Sequence, residues 1–107
     1  MARRFEETKA LVRKMMPVAR RVLGESHDIT LRMRWNYGDV LYQDPGATLD
    51  DLREAVTTME EVARIARRVL GGAHPITTGI EKSLQNARAA HRTREMPPER
   101  ADAIDAR

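Results

Sequence analysis

Ala19-Arg20-Arg21-Val22-Leu23-Gly24, followed by His27, Ile29 and Thr30, is written a second time as Ala66-Arg67-Arg68-Val69-Leu70-Gly71, followed by His74, Ile76 and Thr77. The copies begin 47 residues apart and agree at nine positions in one register, six of them unbroken. A period of this size marks an array in which one supersecondary unit is stacked on the next. Each copy also reads as a joint. Paired arginines suit the last turn of a helix, where cations complement the dipole, and glycine directly after leucine suits a left-handed cap.

Upstream of the first joint, about Arg4 to Leu23 reads as a helix whose apolar face is Phe5, Val12, Met15, Met16, Ala19, Val22 and Leu23. Pro17 inside it predicts a kink near Met15 to Val18, because an interior proline removes a hydrogen bond. Between the joints, Asp28 opens a helix with the stripe Ile29, Met33, Tyr37 and Val40 or Leu41, which must end by Gln43 because Asp44-Pro45-Gly46 is a tight turn. Thr48 and Asp51 form a capping box, and a longer helix follows from about Leu49 to Leu70. Its stripe is Leu52, Val56, Met59, Val62 or Ala63, Ala66, Val69 and Leu70. Beyond Gly71, Pro75 suits the first turn of a further helix, and Ile76, Ile80, Leu84 and Ala87 repeat Ile29, Met33, Tyr37 and Val40 at the same offset. The expected division is a helical repeat domain over residues 1–92 and a polar, flexible tail over 93–107.

Composition bounds the rest. A chain of 107 residues with 41% hydrophobic and 33% charged residues and few aromatics suits one helical domain rather than a β-sandwich. Without cysteine there is neither a disulfide framework nor a thiolate metal site. No apolar run approaches a membrane span, and Glu6 and Glu7 following Arg3-Arg4 do not suit a transit peptide, so a cytoplasmic location is expected. The net charge of +3 hides basic ends around an acidic middle: residues 35–62 carry one Lys/Arg against seven Asp/Glu. That alternation fits elements attracting one another better than a uniformly basic nucleic-acid face.

Leu-Gly-x-x-His-x-x-Thr, then a helix, a turn, and a helix ending in Leu-Gly-x-x-His-Pro resembles the tetratricopeptide repeats of the kinesin light chain type. Tyr37-Gly38 fall where that family's first repeat helix carries a large apolar residue and then a small one, and Ala55 falls at the small residue of the second helix. The resemblance covers residues 4–90, with one complete repeat from His27 to Gly71 flanked by a preceding second helix and a following first helix. Two departures stand out: a surplus of about five residues near the inner turn, which costs little loop entropy, and the absence of several consecutive repeats. The implied fold is all-α: antiparallel helix pairs stacked as a short solenoid of about four helices. Gly38 and Ala55 are expected to let helices approach closely.

The same resemblance implies a binding face. It places Arg32, Trp35, Asn36 and Asp39 on the concave side, with Lys82, Ser83 and Asn86 at corresponding positions of the next unit. Arginine and asparagine suit peptide recognition, since guanidinium grips carboxylates and an amide can satisfy an extended backbone; Trp35 is either the anchor or a packing residue. His27 and His74 follow Leu-Gly-x-x just before a helix and are expected to order the joints rather than catalyse. No nucleophile elbow, phosphate loop or metal-ligand spacing is present, so neither an enzyme nor a cofactor is expected. The predicted function is protein–protein interaction on the first-helix face. Two alternatives remain: a helical module that self-associates through its solenoid ends, and nucleic-acid binding through the basic ends.

Overall fold

The structure, a computed structural model, describes residues 2–95, with side chains from residue 5 onward. Its helices are α1 (Ala2–Val22), α2 (Asp28–Gln43), α3 (Leu49–Leu70) and α4 (Pro75–Glu95). The architecture is a small all-α helical repeat, as the 47-residue offset implies. Of the expected tail, residues 93–95 continue α4, and residues 96–107 lie outside the described residues.

Each stop and start has a local cause. Gly24 and Gly71 take φ of 96° and 95°, conformations that side-chain-bearing residues rarely adopt. Gly71, with ψ 154°, sits in the mirror of the extended region and not in the left-handed helical cap expected of it. The two histidines do the same work at both joints. His27 Nδ1 accepts from the backbone N–H of Ile29 at 3.1 Å, and His74 Nδ1 from that of Ile76 at 3.1 Å. Each imidazole thus satisfies one of the donors that a helix start leaves open. At α3 the capping box is complete: Asp51 N–H donates to Thr48 Oγ1 at 3.1 Å and Thr48 N–H to Asp51 Oδ2 at 3.0 Å. The inner turn closes through Ala47 N–H to the Asp44 carbonyl at 3.0 Å, with Asp44 Oδ1 accepting from Gly46 N–H at 2.9 Å. Pro17 lies inside one continuous α1 on its exposed side.

Consecutive helices run antiparallel, as their cross-contacts descend on one helix while rising on the other. Tyr37 meets Glu54 and Arg34 meets Glu61 between α2 and α3; Arg88 meets Glu60 and Arg67 meets Glu81 between α3 and α4. α2 also packs against α4, whereas among the described residues the backbone of α1 closely approaches that of α2 only. The core has a larger part, where Leu31, Met59, Val62, Ile65, Ala66, Ile76, Ile80 and Leu84 meet, and a smaller one of Tyr37, Leu41, Ala55 and Ala87 with Val12 and Met16 against it. Burying a side chain such as Ile80 stabilises by about 1.5–3 kcal/mol relative to leaving it exposed. Gly38 lets α2 approach α3 with Met59 seated against it, since a Cβ there would lie 2.5 Å from Met59 Cε and displace that side chain.

Three sequence expectations about the core are corrected. Met15, Val22 and Leu23 of α1 are exposed, because among the described residues α1 has a neighbour on one side only. Ile29 is exposed while Leu31 is fully buried, because α2 lies between three helices and buries more than one stripe. Val69 is also exposed, and Ile65 is buried in its stead. One polar pair was not anticipated. Lys9 donates to Asp44 Oδ2 at 3.1 Å with both side chains buried, tying α1 to the inner turn. The Gly46 N–H and then Lys9 hold the Asp44 carboxyl below its ordinary range.

Candidate functional site

Trp35 is one of the side chains through which α2 meets α4. Trp35, half-buried on α2, lies across α4 above Gly79, where an added Cβ would come within 2.5 Å of Cη2 and 2.7 Å of Cζ2. Its indole N–H donates to Ser83 Oγ at 2.8 Å, one helical turn further along α4. The ring is therefore fixed at its edge by a hydrogen bond and on one side by a glycine. Beneath it, burial pushes the Asp39 carboxyl above its usual range, opposed by hydrogen bonds from Ser83 and Tyr42. Asp39 Oδ1 is buried without a hydrogen-bond partner.

Arg32, Trp35 and Asn36 from α2 and Pro75 and Ile76 from the start of α4 line a cleft of about 400 Å³. Arg32 and Asn36 are exposed, with Arg32 only loosely paired to Asp28 at 3.9 Å. Lys82 and Asn86 are exposed as well and continue the stripe of α4 that Gly79 and Ser83 begin. The seven expected residues thus divide by burial. Asn36, Lys82 and Asn86 offer exposed polar ends, Arg32 is exposed but loosely paired with Asp28, Trp35 is both wall and joint, and Ser83 and Asp39 support it from below. Pro75, Ile76 and Gly79 were missed. A glycine well inside a helix signals a close approach, and Gly79 carried that signal.

A second cleft, of about 460 Å³, opens on the opposite side of α2, between α1 and α3. Its wall is a network: Arg13 Nε donates to the Tyr37 hydroxyl at 2.8 Å, Tyr37 donates to Glu54 Oε2 at 2.5 Å, and the Arg13 guanidinium lies 5.7 Å from the Tyr37 ring centre. Burial and then Glu54 push the Tyr37 hydroxyl pKa up. Every polar end in this network is partnered within the chain, so it reads as a brace between three helices. The paired arginines of the repeat are also partly structural. Arg20 grips Glu25 through two hydrogen bonds of 3.0 and 2.8 Å, and Arg67 grips Glu81 through two of 3.0 and 2.8 Å. Arg34, buried on α2, links the first joint to α3 by pairing with Glu25 at 3.4 Å and Glu61 at 3.0 Å.

Among the described residues, no three His, Asp or Glu side chains converge as metal ligands, and no helix is long and apolar enough to cross a membrane. A family model described as a tetratricopeptide repeat matches residues 47–76, from the end of the inner turn through α3 to the first turn of α4. This match supports a tetratricopeptide-repeat protein, a type of repeat that mediates protein–protein interaction. No curated protein and no solved structure matches the chain.

Proposed function

We propose that the chain is a protein–protein interaction module of the kinesin light chain type, acting in the cytoplasm without catalysis, and that it holds an extended partner segment across α2 and α4. The observation that carries this reading is the fixing of Trp35 between Gly79 and Ser83. A pre-set aromatic wall adjoining unburied Arg32 and Asn36 is an interface anchor that loses little side-chain freedom on binding. Asn36 and Asn86 can each satisfy both a donor and an acceptor of an extended backbone, and Arg32 and Lys82 favour a partner with carboxylates.

A library of unstructured peptides displayed against the chain tests the reading. Selected peptides should bind the Arg32→Ala and Asn36→Ala chains about tenfold more weakly, roughly one lost hydrogen bond each, with the helical circular dichroism unchanged. Both residues are exposed, so neither change should unfold the protein. Selected peptides that bind both variants as tightly as the parent would place the partner elsewhere.

A further inference from the structure

The internal repeat shows which helix face lacks its cover. At the 47-residue offset, Leu11, Met15, Val18 and Val22 of α1 correspond to Thr58, Val62, Ile65 and Val69 of α3. In α3 the middle two are buried with Leu31 of α2, at 0% and 9% exposure; in α1 their counterparts Met15 and Val18 are 45% and 42% exposed, flanked by Leu11 at 61% and Val22 at 70%. Four large apolar side chains in one stripe are thus left open to water. Ile29 and Met33 of α2 extend that surface, lining with Met15, Val18, Val22 and Leu23 a nearly wholly apolar hollow of about 260 Å³.

We infer that this stripe of α1 is a docking site for an acidic amphipathic helix, seated on α1 as α2 is seated on α3. The internal template supplies the charge as well as the shape. Where α2 covers α3, buried Arg34 pairs with Glu61 at 3.0 Å beside Val62. The counterpart of Glu61 in α1 is Lys14, which is exposed and has no partner among the described residues, as is Arg21 one heptad on. The pairing is therefore reversed: the incoming helix must carry a carboxylate where α2 carries Arg34.

A second copy of the chain fits poorly. The helix that would have to play the part of α2 is α4, yet the counterparts of Leu31, Gly38 and Leu41 there are Thr78, Gln85 and Arg88, all exposed and polar. Among the described residues, α4 thus presents polar side chains where α1 presents an apolar stripe. Antiparallel pairing of two α1 stripes, with Met15 opposite Val18 and Leu11 opposite Val22, would bring Lys14 of one protomer beside Arg21 of its partner, a like-charge contact.

The test uses the full chain and a fluorescein-labelled peptide of residues 27–45 carrying Arg34→Glu, that is, the chain's own covering helix with its charge reversed. Anisotropy should show saturable binding, several-fold tighter than for the same peptide with Arg34 kept. A Lys14→Glu chain should invert that preference, and a Met15→Glu chain, altered at an exposed position, should bind neither peptide. Equal binding of both peptides to the parent chain, or undiminished binding to the Met15→Glu chain, overturns the inference. So does sedimentation showing a concentration-dependent doubling of mass that Met15→Glu abolishes, since the occupant would then be a second copy.

Discussion

Gly79→Ala puts the α2–α4 joint under direct strain. The new Cβ would stand 2.5 Å from Trp35 Cη2 and 2.7 Å from Cζ2, where carbon atoms ordinarily rest about 3.5 Å apart, so the ring must retreat by about 1 Å. A retreat of that size stretches the 2.8 Å bond from the indole N–H to Ser83 beyond hydrogen-bonding distance. The lost bond costs about 1 kcal/mol and the residual overpacking about 1–3 kcal/mol, while replacing a helical glycine by alanine returns about 1 kcal/mol. The net expectation is destabilisation by about 1–3 kcal/mol, which lowers the melting midpoint by several degrees or more in a domain of this size. Trp35 is the sole tryptophan, so its emission reports on this contact alone. The emission should shift to the red as the ring loosens, and Ser83→Ala should shift it the same way. If Gly79→Ala leaves the emission unchanged and raises the midpoint, as helix propensity alone would, the described packing of Trp35 is refuted.

Four further outcomes follow from the joints and the buried charges. His74→Ala should cost about 1 kcal/mol through the lost cap on Ile76 N–H, and His74→Asn, a better capping residue, should recover most of it in urea titrations. Lys9→Ala should lower the melting midpoint, because it removes the cation paired with the Asp44 carboxylate and leaves the Gly46 N–H as the partner that holds it. Because the folded Asp44 pKa is depressed, its contribution is present above the ordinary carboxylate value of about 3.9 and is lost as pH falls through the lower folded value; thermal melts should weaken below about pH 4, less so in Asp44→Asn. Asp39 has the opposite sign. Its raised pKa makes the folded state less stable above the folded value, so Asp39→Asn should raise the midpoint more at pH 7 than at pH 3.

What could be read from the residues was what is local or what the repeat writes twice. The positions of the joints, the capping box and the stripe Ile76, Ile80, Leu84 and Ala87 are local or periodic features, and the structure places them as expected, although Gly71 caps its helix in another backbone conformation. Gly38 was readable because a small residue facing another helix has few other uses. What was not readable depends on neighbours. Met15 and Val22 have the periodicity of a buried face, yet periodicity does not say whether a helix is there to cover it. Nothing within one helix marks Lys9 as buried, because its partner Asp44 is 35 residues away in sequence. Ser83 matched the family position for a contact residue but is taken up by Trp35, a pairing between helices that no spacing within one helix reveals.

The central claim is that a partner segment is held across the first helices of the two units. Backbone amide shifts of the isotope-labelled chain, followed during titration with a peptide selected from the displayed library, test it most directly. The account predicts perturbations concentrated at Arg32, Trp35, Asn36 and Asp39 of α2 and at Ile76, Gly79, Lys82 and Asn86 of α4, with the Trp35 indole N–H among the largest. Perturbations confined to α1 and α3, with the indole signal unmoved at saturation, would contradict it.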